Sequence, residues 1–147
     1  MPEPQRKTVH DLLAEARAGL DRVSPAELAV LLEAGASADT GRLRVIDIRS
    51  RDQREANGII EGSEPIDPLV LEWRIDDASG FAEGTAADFD DRLVIVCNEG
   101  YSSSLAAARL QDLGFGNATD LDGGMAGWKS HGLPVIPPPT VGAGSDG

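Results

Sequence analysis

Residues 93–131 read LVIVCNEGYSSSLAAARLQDLGFGNATDLDGGMAGWKSH, and the order of features in this stretch decides the fold. Leu93 to Val96 is a short apolar run rich in β-branched residues, which is typical of a buried strand. Cys97, the only cysteine of the chain, follows at once. After a polar loop that contains Gly100 come alanines and leucines at helical spacing. The pattern predicts a strand, a tight loop and a helix over 103–113, with Cys97 where the strand ends.

The position of Cys97 favours chemistry over simple packing. An isolated cysteine is most often a small buried apolar residue. A loop that leads from a strand into a helix N-terminus, however, surrounds its contents with backbone N–H groups and the positive end of the helix dipole. Such surroundings stabilise a thiolate, which is the nucleophilic form of cysteine. We therefore interpret Cys97 as a nucleophile and the residues after it as its binding loop: Asn98, Glu99, Gly100, Tyr101, Ser102 and Ser103.

Helices and strands alternate along the rest of the chain. Ser24-Pro25-Ala26-Glu27 carries the signature of a capping box and starts a helix that Gly35 ends. This alternation predicts an α/β fold with a parallel sheet covered on both faces, in which ligands bind at the carboxyl ends of the strands. The predicted helices cover 8–18, 25–34, 51–56, 68–73, 103–113 and 125–130; the predicted strands cover 21–23, 43–48, 93–96 and 118–121, with a short one within 59–66.

Length and composition indicate one soluble domain. With 147 residues, 41% of them hydrophobic and 26% charged, the chain can bury one core. We expect a helical extension over 1–20, a single domain over 21–136 and a flexible Pro/Gly-rich tail over 137–147. The sequence shows no apolar run long enough to cross a bilayer, no secretory signal and no second cysteine for an internal disulfide. These features predict a cytoplasmic protein with no membrane association.

The chain is strongly acidic, with a formal net charge of −12. Much of the acid lies within residues 72–91, which include Asp76, Asp77 and Glu83. Such a charge repels nucleic acid and anionic membranes, so neither is expected as a partner. The simpler interpretation of the segment is a solvated surface that favours solubility. The alternative is an electrostatic docking surface for a basic protein partner.

Four motifs together resemble the rhodanese family of sulfurtransferase domains. Val45–Arg49 is similar to a family strand that ends in D-x-R, and 58–63 is similar to its G-H-I-P-G-A turn. Residues 94–103 resemble its C-x-x-G-x-x-S loop, and 121–128 resemble its L-x-G-G-x-x-x-W motif. The motifs occur in the family's order and spacing over about residues 43–135. The resemblance implies a five-stranded parallel sheet with helices on both faces, a cysteine that carries a persulfide, and no metal or organic cofactor.

If the resemblance holds, Cys97 attacks the outer sulfur of a donor, becomes a persulfide and passes that sulfur to an external acceptor, either a small molecule or a protein. Two features of the loop bear on the donor. The loop lacks a cation and contains Glu99, so it should hold a dianion such as thiosulfate less well. Arg49 or Arg74 would then supply the missing cation, although Asp47 and Arg49 are also expected to form a structural pair.

Other roles for these residues remain open at this level. Ser102 and Ser103 are expected to act as helix caps more than as donor-binding groups, with Ser103 as the cap. A rhodanese-fold module that binds a partner or senses redox state, without catalysis, is the main alternative function. A phosphatase or arsenate reductase on the same fold would need a loop one residue longer, and the phosphatase would also need an arginine at its end; six positions past Cys97 this chain has Ser103. His10 and His131 are too far apart in the sequence to indicate a metal site.

Overall fold

A computed structural model of the chain describes residues 5–35 and 41–139, and within them four parallel strands form one sheet. The two central strands run side by side, with Leu43 opposite Arg92 and Asp47 opposite Val96. After its first residue, each central strand is buried throughout, as expected of a parallel sheet that is covered on both faces. The strands are β1 (Leu43–Asp47), β2 (Glu64–Pro65), β3 (Arg92–Val96) and β4 (Thr119–Asp120), in the spatial order β2-β1-β3-β4.

Six α-helices in the described residues surround this sheet. Successive residues of β3 point to opposite faces, and each face has its own apolar core. Leu93 and Ile95 pack with residues of the fourth and fifth helices, while Val94 and Val96 pack with residues of the second and sixth. The predicted α/β fold with helices on both faces is therefore confirmed. The helices are α1 (Val9–Ala18), α2 (Pro25–Ala34), α3 (Arg51–Asn57), α4 (Leu71–Ile75), α5 (Ser102–Asp112) and α6 (Gly124–Ser130).

The expectation of a fifth strand needs correction. The segment predicted as an edge strand over 21–23 meets β4 only through a single parallel bridge between Val23 and Leu121. The Val23 N–H donates to the Asp120 carbonyl at 3.1 Å, and the Asp122 N–H donates to the Val23 carbonyl at 2.8 Å. The bridge ends there because Ser24 already accepts the first hydrogen bonds of α2. One residue thus occupies the place of the fifth strand.

Local sequence patterns predicted most helix boundaries to within one residue. The capping box predicted at Ser24 is present, since its hydroxyl accepts from the Glu27 N–H at 3.1 Å and Glu27 accepts from the Ser24 N–H at 3.1 Å. The helix predicted over 68–73 starts later, at Leu71, because the Asp67 carboxylate first closes a turn with the Leu69 N–H. Parts of the predicted loops and tail, at residues 1–4, 36–40 and 140–147, lie outside the described residues.

Within the extension predicted over residues 1–20, Val9–Ala18 form α1, which packs against α5. Thr8 caps it, as its hydroxyl accepts from the Asp11 N–H at 3.2 Å. No residue of α1 is fully buried, so the helix lies on the surface of the domain. None of the helices in the described ranges has the length and apolarity needed to cross a membrane.

A first prediction concerns the core beneath α5. Phe115 is 1% exposed and stacks on Phe89, whose own exposure is 64%, with ring centroids 5.0 Å apart. We expect Phe115→Ala to lower the free energy of unfolding by about 3–5 kcal/mol, because it leaves a cavity in the core. Phe89→Ala, the matched control, should cost much less. Urea unfolding of both variants measures the difference, and equal losses would contradict this description of the core.

Candidate active site

Cys97 lies directly after β3 with its sulfur turned into the loop that follows. Its Sγ accepts hydrogen bonds from the Gly100 N–H at 3.2 Å and the Ser103 N–H at 3.3 Å. The residue is only 8% exposed. Hydrogen bonds of this kind are stronger to an ionised acceptor than to a neutral one. The loop therefore presents a sulfur atom that is held by two amides and that favours negative charge.

The Ser103 amide belongs to the first turn of α5, where N–H groups have no partner within the helix. The side chain of the N-cap residue, Tyr101, makes no capping hydrogen bond. Cys97 Sγ takes that role instead. The prediction that Ser103 caps the helix with its hydroxyl is therefore wrong, because this hydroxyl is buried and donates elsewhere, to Asp120 at 2.7 Å.

Two glycines let the loop pack tightly against the start of α6. Gly100 has φ +89°, and a Cβ there would lie 2.8 Å from the Gly123 nitrogen. Gly124 has φ +59°, and a Cβ there would lie 2.5 Å from the Cys97 carbonyl oxygen. This close approach lets the Met125 N–H donate to the Cys97 carbonyl at 3.0 Å. Gly100 and Gly124 thus fix the backbone on either side of the contact between Cys97 and α6.

A buried carboxylate, that of Asp120, binds the two serines at the start of α5. Asp120, at the end of β4, is fully buried, and its Oδ2 accepts from the hydroxyls of Ser103 and Ser104, each at 2.7 Å. The Arg22 guanidinium completes the group, donating to Oδ1 at 2.9 Å and to Oδ2 at 3.2 Å. A buried charge is tolerated when it is paired and hydrogen-bonded in this way. Asp120 therefore joins α5, β4 and the segment before α2.

Two arginines converge on the loop carbonyl of Gly100. Arg17, from α1, donates to this oxygen at 2.7 Å, and Arg22 donates to it at 3.0 Å. Arg17 also donates to the Ser104 hydroxyl at 3.1 Å, and its guanidinium lies 5.7 Å from the centre of the Tyr101 ring. A loop without a cation of its own thus lies next to two cations from the N-terminal part of the chain.

Asp120 dominates the electrostatics of Arg22. Burial lowers the pKa of the Arg22 guanidinium, but the hydrogen bonds and the charge of Asp120 outweigh burial, so the pKa is raised above its usual range. The negative charges of Asp122 and of Cys97 add smaller contributions in the same direction. Arg22 therefore stays charged where it binds Asp120 and the Gly100 carbonyl.

Sequence reasoning missed both Arg17 and Arg22. Each is separated from Gly100 by about eighty residues, at 83 and 78 positions. No spacing or motif links residues so distant in the chain, and neither arginine stands in a recognisable pattern of its own. Asp120 carried a weak signal, because it ends a strand next to the one that ends at Cys97.

A cleft of about 360 Å³ opens beside Cys97, at the carboxyl ends of β1 and β3 where the sequence predicted a site. A second cleft, of about 390 Å³, lies at the amino ends of β3 and β4 and contains no cysteine. The residues that line the cleft beside Cys97 are Ile48, Arg49, Gln53, Pro68, Cys97, Asn98, Glu99, Tyr101 and Ser102.

The structure brings one of the two predicted cations to this cleft. Arg49 lines it, while Arg74 lies exposed on α4 and is not among the lining residues. Arg49 also forms the expected pair with Asp47, through Nε to Oδ1 at 3.0 Å and Nη2 to Oδ2 at 2.7 Å. Its third nitrogen, Nη1, is buried and has no hydrogen-bond partner in the described part of the chain. Most of the charge of Arg49 is therefore balanced by Asp47.

Comparison with known proteins gives consistent matches. The model of the rhodanese-like domain family matches residues 24–131, which leaves Arg17 and Arg22 outside the match. The thiosulfate sulfurtransferase GlpE of Pseudomonas aeruginosa is 38% identical over 109 residues, which is 74% of this chain and 84% of that protein. The human single-domain sulfurtransferase TSTD1 is 29% identical, with a TM-score of 0.58 over 74% of this chain and 95% of the other.

Another similar structure has a different description. A protein of unknown function from Rhodopseudomonas palustris, described as a possible tyrosine phosphatase, superposes with a TM-score of 0.76 at 29% identity. The match covers 92% of this chain and 99% of that one. The fold is therefore common to proteins described as sulfurtransferases and to one described as a possible phosphatase, so the loop chemistry has to separate the two activities.

A second prediction tests the tight packing of the loop. We expect Gly100→Ala to lower the free energy of unfolding by about 2 kcal/mol or more, because positive φ and a backbone contact both oppose a Cβ. Gly62→Ala meets positive φ in open space and should cost about 1–2 kcal/mol. Gly116→Ala meets neither obstacle and should change stability by less than about 0.5 kcal/mol. Chemical denaturation gives the order, and a Gly100→Ala variant as stable as Gly116→Ala would contradict the geometry.

Proposed function

Because this chain belongs to the rhodanese-like domain family and is a sulfurtransferase of the rhodanese type, we propose that it moves sulfane sulfur through a persulfide on Cys97. The observation that supports this most is the pair of amides on Sγ, from Gly100 and Ser103, at the edge of the cleft. They favour the thiolate that must start the reaction and the same thiolate that must leave at its end.

The proposed reaction has two displacements. In the first, the Cys97 thiolate attacks the outer sulfur of the donor; the donor's S–S bond breaks, and its electron pair leaves with the remainder of the donor, which is sulfite when the donor is thiosulfate. In the second, an acceptor nucleophile attacks the terminal sulfur of the persulfide. The bond between that sulfur and Sγ breaks and returns the electron pair to Cys97. Each step exchanges one bond for another and needs no external oxidant or reductant.

The terminal sulfur of the persulfide needs donors of its own. Within the described residues, the N–H groups of Glu99, Tyr101 and Ser102 donate to no protein acceptor. All three residues line the cleft. Free amides beside the nucleophile suit the role of an anion site for the terminal sulfur, much as an oxyanion site stabilises developing charge. In this arrangement the Gly100 and Ser103 amides stay hydrogen-bonded to Cys97 Sγ during both displacements.

Glu99 acts against an anionic donor. Its carboxylate is exposed and lines the cleft, where it raises the cost of bringing in a dianion. Arg17 and Arg22 offset part of this cost from beneath the loop. The Pseudomonas aeruginosa relative is named for thiosulfate, so we propose thiosulfate as the first donor to test, bound weakly because of Glu99.

The phosphatase alternative receives less support from the loop. No arginine stands between Cys97 and Ser104, and the Ser103 hydroxyl is engaged with buried Asp120. Arg49 lines the cleft, but Asp47 balances most of its charge, so a phosphate dianion would meet Glu99 with little compensation from a guanidinium. A module that only binds or senses redox state shares the fold, and the turnover assay below separates it from an enzyme.

A third prediction tests the proposed function. We expect wild-type protein to form thiocyanate from thiosulfate and cyanide, with the double-displacement pattern of parallel lines in reciprocal plots. Cys97→Ser should lose at least about 1,000-fold of this rate, because no sulfur can be carried without the nucleophile. Thiocyanate formation by Cys97→Ser at the wild-type rate would contradict the proposal. Absence of turnover by the wild type with thiosulfate, polysulfide and 3-mercaptopyruvate alike would favour the non-catalytic alternative.

A fourth prediction concerns donor affinity. Glu99→Gln should lower the KM for thiosulfate by about three- to tenfold with little change in kcat, because it removes a repulsive charge from the cleft. Glu33→Gln, a similar loss of charge on the exposed face of α2, is the control and should leave KM unchanged. Steady-state kinetics at low salt measures both constants. An equal KM in the two variants would show that Glu99 does not limit donor binding.

A further inference from the structure

Three large apolar side chains are exposed in the segment that follows the cleft. Leu69 is 84% exposed, Trp73 54% and Phe81 66%. The two aromatic rings meet edge to face with centroids 6.4 Å apart. Phe89 is equally exposed, but it stacks on the buried ring of Phe115 and so has a structural role. Exposed aromatic pairs of the first kind are frequent where a partner binds.

The aromatic pair is held in place by buried neighbours and side-chain hydrogen bonds. Leu71 and Ile75 anchor α4 with no exposed surface, so Trp73 projects from a fixed helix. The Ser79 hydroxyl donates to the Trp73 carbonyl at 2.6 Å and accepts from the Phe81 N–H at 2.9 Å. This one hydroxyl links the backbones of both aromatic residues. Side chains that are already ordered lose less entropy when a partner binds.

Acidic residues flank both members of the aromatic pair in the sequence. Residues 72–91 contain seven carboxylates and one cation, Arg74. Glu72 is partly balanced by Arg109 at 3.4 Å, whereas Asp77 and Glu83 are exposed and form no ion pair within the described residues. Unpaired like charges on a fixed apolar surface attract a cationic partner and repel an anionic one. The charge therefore indicates that the complementary surface is basic.

This segment adjoins the cleft of Cys97 along the chain. Pro68 lines the cleft, and Leu69 is the next residue. A protein that contacts Leu69 would thus lie beside the cleft. We propose that the surface formed by Leu69, Trp73, Phe81, Asp77 and Glu83 docks the sulfur acceptor, a protein whose reactive thiol lies beside lysine or arginine and apolar side chains.

The inference rests on the proposed function for its chemistry. The acceptor's thiolate attacks the terminal sulfur of the Cys97 persulfide, the bond from that sulfur to Sγ breaks, and the electron pair returns to Cys97. The acceptor leaves as a persulfide, and no oxidant or reductant is consumed. Docking itself needs no persulfide, so binding and transfer can be measured separately.

The fifth prediction uses two synthetic peptides with leucine and tryptophan around a central residue, one carrying four lysines and the other four glutamates. With serine at the centre, fluorescence anisotropy of a labelled peptide measures binding alone. The lysine peptide should bind at least tenfold more tightly than the glutamate peptide at low salt, and the difference should shrink at high salt. With cysteine at the centre, intact mass measures sulfur transfer from persulfidated protein, expressed relative to transfer to cyanide.

Variants of the proposed surface, each with a matched control elsewhere, test whether the peptide binds there. Asp77→Lys/Glu83→Lys should weaken lysine-peptide binding at least fivefold, whereas Glu33→Lys/Asp112→Lys changes the net charge equally at exposed positions of α2 and α5 and should leave a smaller effect. Trp73→Ala should weaken binding at least fivefold, and Val30→Ala, which removes another exposed apolar side chain, should not. Equal effects of the surface and control variants, or equal binding of the two peptides, would overturn the docking surface. Failure of cyanide turnover with intact peptide binding would count against the proposed function alone.

Discussion

The buried carboxylate of Asp120 is the interaction on which the site depends. It cannot lie at the centre of the fold without compensation, and Arg22, Ser103 and Ser104 together provide it. Ser103 and Ser104 belong to the first turn of α5, so their hydrogen bonds to Asp120 fix that turn. The turn in its place supplies the Ser103 amide to Cys97. Arg22 then reaches the Gly100 carbonyl, whose own N–H is the second donor to the sulfur. The requirement to satisfy one buried charge thus orders the groups that bind the Cys97 sulfur.

One consequence is that Cys97 has a structural role beside the chemical one proposed for it. Its sulfur satisfies an N–H group at the start of α5 that a serine or aspartate side chain would ordinarily satisfy. Arg17 and Arg22 lie outside the residues that match the family, and both act from the N-terminal part of the chain on a loop that lacks a cation.

The parts of the fold that sequence could predict are those encoded by neighbours. The strand, loop and helix around Cys97 follow from a local apolar run and a local helical pattern, and the box at Ser24 follows from residues three apart. The Asp47–Arg49 pair was accessible for the same reason. The role of Ser103 could not be predicted in this way. Its hydroxyl donates to Asp120, which lies 17 positions further along the chain, instead of capping the helix. Arg17 and Arg22 had no local signal at all, and the fifth strand was reduced to one bridge by the start of α2.

The central claim is that Cys97 receives and carries a single sulfur atom. Intact mass spectrometry of the reduced protein after incubation with a sulfane-sulfur donor, and again after cyanide, observes that intermediate directly. The account predicts a gain of about 32 Da in the wild type, its loss on adding cyanide, and no gain in Cys97→Ser. A gain that persists in Cys97→Ser would contradict the claim, as would the absence of any gain in wild-type protein that forms thiocyanate.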